Sequence, residues 1–197
     1  MSISKTPSKT SKNECTQFTP KEILSPSKDQ PGISNTVFSH ISKLHGLLDN
    51  WARMRDKGTR LFKAVSALKL QECKDDYYPS QLRPLMDSFT EIVESFQNIV
   101  EGVNIISNQL RALAKLQPDY SPVISTWSTK QISESVQNIF NCLQKEFRLK
   151  QVVTENVAHC RDEKLIEVYV SSWELEPYFS YETHAYLFAE VGLSGIT

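Results

Sequence analysis

An unbroken apolar seam between Leu82 and Leu113 limits what this chain can fold into more than any other feature. Leu82, Leu85, Phe89, Ile92, Phe96, Ile99, Val103, Ile106, Leu110 and Leu113 follow one another at alternating spacings of three and four residues. A helix with that repeat carries its apolar side chains along one edge and needs other helices to cover them. Met86, Val93 and Val100 widen the stripe, so more than one neighbour can pack on it. Pro84 falls in the first turn, where a missing N–H does little harm. No other proline intervenes before Pro118. The pattern predicts a helix over 81–117.

A second long helix is expected over 35–70, capped by Ser34 or Asn35. Its apolar positions are Val37, Ile41, Leu44, Leu48 and Trp51, then Met54, Leu61, Val65 and Leu68. Gly58 sits on this seam and costs about 1 kcal/mol relative to alanine in mid-helix. Close approach of a neighbouring backbone is the expected return. Residues 71–80 include Lys74, Asp75, Asp76 and Pro79 and read as a turn, which makes the two helices antiparallel neighbours. A turn near Asp75 pairs Lys63 with Asp87, Arg60 with Glu91 and Lys57 with Glu94. The other reading of the basic row Arg53, Lys57, Arg60 and Lys63 is a docking site for an acidic partner or nucleic acid.

Ser128 and Gln131 form a capping-box pair that opens a third helix over 128–159. Ile132, Val136, Ile139 or Phe140, Leu143 and Phe147 give one stripe. Past Phe147 the apolar positions move to Leu149, Val152, Val153 and Val157, so the seam is expected to change face, either to meet another chain or as a local stutter. Asp162 caps a shorter helix over 162–174 with Leu165, Ile166, Val168, Tyr169 and Trp173, and a last one is expected over 183–191. The aromatics Tyr178, Phe179, Tyr181, Tyr186 and Phe188 either finish the core or anchor a partner. The fold class is therefore all-α: three long antiparallel helices in an elongated bundle over 35–197, with short C-terminal helices.

Residues 1–34 are rich in Ser, Thr, Lys and Pro and hold too little apolar surface to offset backbone ordering, so a disordered tail is expected. Thr6-Pro7-Ser8-Lys9 and Ser25-Pro26-Ser27-Lys28 have the form of cyclin-dependent kinase substrates, with Thr19-Pro20-Lys21 between them. Thr6, Thr19 and Ser25 are the candidate phosphosites, each of which would gain about two negative charges.

The net charge of -1 argues against nucleic acid or an anionic membrane as a partner of the whole chain. No apolar run is long enough to span a membrane, and the first residues lack the apolar core of a secretory signal. Cys15, Cys73, Cys142 and Cys160 stand singly, without metal-ligand spacing or a disulfide framework, which suits a reducing cytosol or nucleus. Phosphate-binding, dinucleotide-binding, serine-hydrolase and zinc-protease motifs are absent. His40 and His45 fall on different helix faces, and His159 beside Cys160 points about 100° away from it. No catalytic, cofactor-binding or metal-ligating residue is assigned, and a non-catalytic helical protein that binds other proteins is expected. Its candidate partner-binding residues are Met86, Val93 and Val100 on the second helix, Leu149 and Val153 on the third, and Trp173 and Tyr178 beyond.

The C-terminal half resembles the cyclin-dependent kinase 2-interacting proteins. The resemblance runs through Thr126-Trp127, Thr129, Lys145-Glu146, Leu149-Lys150, Val153, Glu155, Ala158-His159, Asp162, Leu165, Tyr169, Ser171, Trp173 and Pro177-Tyr178, with Leu48, Trp51 and Gly58 upstream. It implies a nuclear adaptor without catalytic activity or cofactor, linked to DNA replication and checkpoint signalling through cyclin-dependent kinase 2 and an origin-firing kinase. It also implies a hetero-oligomer with a second small helical subunit, attached to an AAA-type ATPase that serves replisome turnover and maturation of the large ribosomal subunit. The alternatives are a nucleic-acid-binding helical protein and a self-contained three-helix scaffold.

Overall fold

The computed structural model describes residues 32–72, 78–117, 122–124, 126–180 and 182–192. The candidate phosphosites Thr6, Thr19 and Ser25, the cysteines Cys15 and Cys73, the turn residues Lys74, Asp75 and Asp76, and Pro118 and Tyr181 lie outside them. The described residues form five α-helices: α1 (Gly32–Ala67), α2 (Leu82–Leu116), α3 (Thr129–Val157), α4 (Glu163–Leu175) and α5 (Glu182–Val191). One π-helical turn, Leu68–Glu72, prolongs α1. Among the described residues no strand forms, and a lone antiparallel bridge joins Ile124 to Trp127.

α2 is the central element, in contact with both α1 and α3. Leu82, Phe89, Ile92, Phe96, Ile99, Val103, Ile106 and Leu110 of the seam are buried, and Leu85 and Leu113 are partly so. At about 1.5–3 kcal/mol for each large apolar side chain removed from water, this row is the main source of stability. Aromatic pairs tie it to α1: Trp51 and Phe96 have ring centroids 4.3 Å apart, and Phe62 and Phe89 4.5 Å. Ser128 and Gln131 do form the reciprocal capping box at the start of α3, and the Asp162 carboxylate accepts the Lys164 and Leu165 N–H groups at the start of α4.

α1 begins at Gly32, three residues before the expected start, so Gly32, Ile33 and Ser34 belong to the bundle. Ser34 does not cap α1. Its hydroxyl lies within the first turn and donates to the Val123 carbonyl at 2.8 Å, fastening α1 to the segment before α3. At the far end the buried Lys69 ammonium reaches the carbonyls of Val157 and Ala158, where the end of α3 leaves acceptors without helical partners.

The antiparallel pairing of α1 and α2 holds, but the charge register sits one helical turn from the expected one. Lys57 reaches Glu91 at 3.8 Å instead of Glu94, and Lys63 turns away from α2 to Glu174 of α4 at 3.5 Å. Exposed charges do not fix a register, because apolar interdigitation outweighs pairs that contribute about 0.2–1 kcal/mol each.

The expected change of face in α3 does not occur. Its buried row is Ile132, Val136, Ile139, Leu143, Glu146, Lys150, Val153 and Val157, one seam with the spacing of α2 throughout. Two of its positions hold charged residues, and reading apolar residues alone makes the stripe look displaced. Val152, on the supposed second stripe, is exposed.

Candidate protein interface and the buried ionic cluster beneath it

The two charged seam residues of α3 meet a third at the end of α4. Lys150 Nζ lies 3.6 Å from Glu146 Oε1 and 3.2 Å from Glu176 Oε1. It donates to the Trp173 carbonyl at 3.0 Å and stands 4.5 Å above the Trp173 ring. Glu176 also accepts from the Trp51 indole at 2.7 Å and from Arg55 at 3.2 Å, and the Tyr178 N–H donates to Glu146 Oε2 at 3.0 Å. A buried charge is tolerated only with such partners, and here two carboxylates face two cations.

Backbone geometry places Glu176. It follows α4 with φ 48°, a left-handed conformation that turns the chain back over the bundle and swings its carboxylate inward. Burial pushes the Glu146 carboxyl above the usual carboxylate range, with Glu176 adding to the effect and the Tyr178 N–H and Lys150 opposing it. Burial likewise lowers the Lys150 ammonium, against the pull of Glu176 and Glu146. The Arg55 guanidinium is raised: burial works against its charge, but Glu176 and Asp56 outweigh that.

Gly58 completes the arrangement. A β-carbon there would lie 2.1 Å from Cζ2 of Trp173, so the indole rests directly on the α1 backbone, and its Nε1 donates to the Arg55 carbonyl at 3.0 Å. The close approach expected at Gly58 is thus made by a side chain of α4, not by a neighbouring backbone. Glu146 and Lys150 expose no surface. The cluster holds α4 and the chain after it in place.

α4 is held with an apolar stripe turned to solvent. Ile166 and Trp173 face inward, and Glu174, one residue past Trp173, reaches α1 through Lys63. Leu165, Val168 and Leu175 fall on the opposite flank at helical spacing; Val168 is 54% exposed and Leu175 77%. Phe147 and Gln151 of α3 line a groove with Val100 of α2, and helical spacing puts Leu149 and the exposed Val152 on the flank of α3 away from that groove. Tyr178, three residues beyond Leu175 in the chain, is half exposed.

Of the sequence-derived partner-binding residues, Val153 and Trp173 are buried in the chain's own core, and Val100 is buried there save for its edge on the groove with Phe147. Met86 and Leu149 are partly covered by that core, and Val93 is half-buried. Tyr178 remains exposed. Sequence reasoning passed over Glu146, Lys150 and Glu176 as buried groups, although the first two stand four apart on the heptad of α3. It also missed the stripe of Leu165, Val168 and Leu175, which Ser172 interrupts at its third position.

The basic row of α1 is partly engaged, Lys57 with Glu91 and Lys63 with Glu174. The His159 ring packs against Tyr78, and the Cys160 thiol turns to the Asp162 carbonyl. Among the described residues no group of three or more His, Cys, Asp or Glu is placed to hold a metal ion, and no helix is long and apolar enough to cross a membrane.

No family model matches this chain. Over 162 residues it is 22% identical to the cyclin-dependent kinase 2-interacting protein of Bos taurus, covering 68% of this chain and 76% of that protein. The similarity is distant. Trp51, Gly58, Glu146, Lys150, Trp173 and Tyr178, among the residues on which the resemblance to such proteins rests, are the ones that meet around the ionic cluster.

Proposed function

We propose that this chain is a non-catalytic helical adaptor whose docking surface is the outward strip of α4 with Val152 and Tyr178. One observation carries the reading: an apolar stripe is left in water on a helix that a buried ionic cluster fastens to the bundle. Contiguous exposed apolar surface marks interaction sites, and a fixed helix binds without first paying for its own ordering. The distant similarity to a protein named for its interaction with cyclin-dependent kinase 2 supports a kinase among the partners.

In this reading a second small helical subunit covers the α4 strip. The pair then positions an AAA-type ATPase and the replication kinases, cyclin-dependent kinase 2 and an origin-firing kinase. The setting is the nucleus, in DNA replication, checkpoint signalling and maturation of the large ribosomal subunit. These assignments follow the family resemblance alone.

Affinity purification of the tagged full chain from cells, followed by mass spectrometry, tests the proposal. The expected catch is a small helical protein with an AAA ATPase or a replication kinase. Val168→Asp with Leu175→Asp should lose it while the thermal unfolding of the chain is unchanged. Recovery of none of these partners refutes the proposal, as does their full retention by the doubly substituted chain.

A further inference from the structure

A cationic groove lies at the opposite end of the bundle from the α3–α4 connection, in a region that the adaptor reading does not use. It has a volume of about 490 Å³ between the last turns of α2 and the first turns of α3, and its described lining residues include the cations Arg111, Lys115 and Lys130 and the carboxylate of Glu134. Arg111 is held by neutral groups: its guanidinium donates to the side-chain oxygens of Asn108 and Gln137. Gln137 is itself fixed, accepting from the Ser107 hydroxyl and donating to Asn141 at 3.0 Å. A guanidinium oriented by amides keeps its full charge for an incoming anion, and its fork suits the oxygens of a phosphate monoester. Leu116, next in the chain to Lys115, is 80% exposed.

The N-terminal segment of the chain enters the bundle at this same end. Gly32 opens α1, and Ser34 is bonded to Val123, in the segment that leads into α3. Ser25 lies seven residues before Gly32, a reach of up to about 24 Å in an extended chain. Met1 to Pro31 hold five lysines and three acidic residues, so the unmodified segment has no charge attraction for the groove. Ser25 is followed by Pro26 and, two residues later, by Lys28, the form a proline-directed kinase accepts, and is preceded by the apolar pair Ile23-Leu24.

We propose that the groove formed by Arg111, Lys115 and Lys130 is the docking site for phosphorylated Ser25 of the chain's own N-terminal segment. A proline-directed kinase transfers the γ-phosphoryl group of ATP to Ser25 Oγ: the new P–O bond replaces the bond to ADP, which leaves, and the hydroxyl proton is released. The phosphoserine carries about −1.5 to −2 charge at neutral pH, so the residues around it, where Lys21 and Lys28 offset Glu22 and Asp29, take on a net negative charge. Its oxygens take the Arg111 fork and the Lys115 ammonium. The segment is then held across the end of the bundle. The proposal stands independently of the α4 interface.

The test uses the full chain made with phosphoserine encoded at position 25 and follows that phosphate by phosphorus NMR across pH. Bound between cations, the phosphate should give up its second proton about half a pH unit lower than in a free phosphopeptide of residues 18–31. The shift should be independent of protein concentration, disappear in about 1 M salt, and be lost in Arg111→Gln and in Lys115→Gln. Titration identical to that of the free peptide overturns the proposal, and so does a shift that survives both substitutions. A shift that grows with protein concentration assigns the groove to another molecule's phosphate and overturns docking within one chain. Binding of duplex DNA by the unmodified chain that Arg111→Gln abolishes assigns the groove to nucleic acid and overturns it as well.

Discussion

Glu176 Oε1 lies 3.2 Å from Lys150 Nζ, so a residue just beyond α4 neutralises a cation in the middle of α3. Both side chains are buried. Glu176→Ala should cost about 3 kcal/mol, near the low end for breaking a buried pair, because Glu146 stays 3.6 Å from the ammonium. Glu176→Gly should cost about 1 kcal/mol less than the alanine variant, since φ 48° strains every residue with a β-carbon. Urea unfolding of the two variants checks the order; equal losses would mean that the left-handed turn relaxes when its carboxylate is gone.

Gly58→Ala is expected to destabilise the protein although alanine is the better helix former. The propensity gain is about 1 kcal/mol, but the added carbon falls 2.1 Å from Trp173 Cζ2 and 2.5 Å from Cε2. An indole wedged between Phe62, Phe89 and Phe96 cannot yield cheaply. Overpacking costs about 1–3 kcal/mol or more, and a net loss near 2 kcal/mol should appear in denaturant unfolding. In a Trp173→Leu background the sign should reverse to a small gain.

The helix register can be read in solution from charge coupling. Lys57→Glu and Glu91→Lys, made singly and together, should show a coupling of about 0.2–1 kcal/mol. The same cycle on Arg60 and Glu91, which form no salt bridge, should show none within error. A larger coupling for Arg60 than for Lys57 would restore the register expected from sequence.

α5 should loosen in mild acid through His184. The ring stacks on Phe179 with centroids 5.3 Å apart and meets Phe188 edge-on. Burial lowers its pKa, with His45 adding to the effect and Asp49 opposing it. The unfolded chain therefore binds a proton at His184 more readily than the folded one, and stability falls as pH drops below about 6.5 toward the lowered folded value. Denaturant midpoints at pH 7.5 and 5.5 should differ more for the wild type than for His184→Leu. His40, lowered by burial and by Lys43, contributes in the same direction and stays in both proteins.

Helix positions were legible because apolar residues recur every three or four positions wherever a helix lies on a core. The expected spans 81–117, 128–159, 162–174 and 183–191 differ from α2–α5 by no more than two residues at either end. The candidate interface was less legible. Val100, Val153 and Trp173 are apolar and at helical spacing, as partner-binding residues would be, yet the chain consumes them internally. Leu165, Val168 and Leu175 have the same character and remain outside. Periodicity reports that a face is apolar and does not say what covers it.

By itself the sequence determined an all-α bundle, the boundaries of its last four helices to within two residues and the antiparallel order of its first two helices, because periodicity, caps and breakers act over a few residues and leave their record there. Only the tertiary structure decided that Glu146 and Lys150 belong to the seam of α3, that Gly58 receives the indole of Trp173, and that α4 turns Val168 and Leu175 to water. Those outcomes depend on residues more than a hundred positions apart, Trp51 with Glu176 and Gly58 with Trp173. A charged residue can occupy a core position only where the folded chain brings a counter-charge to it. No local pattern encodes that meeting, so the ionic cluster and the strip it supports came into view only with the helices assembled.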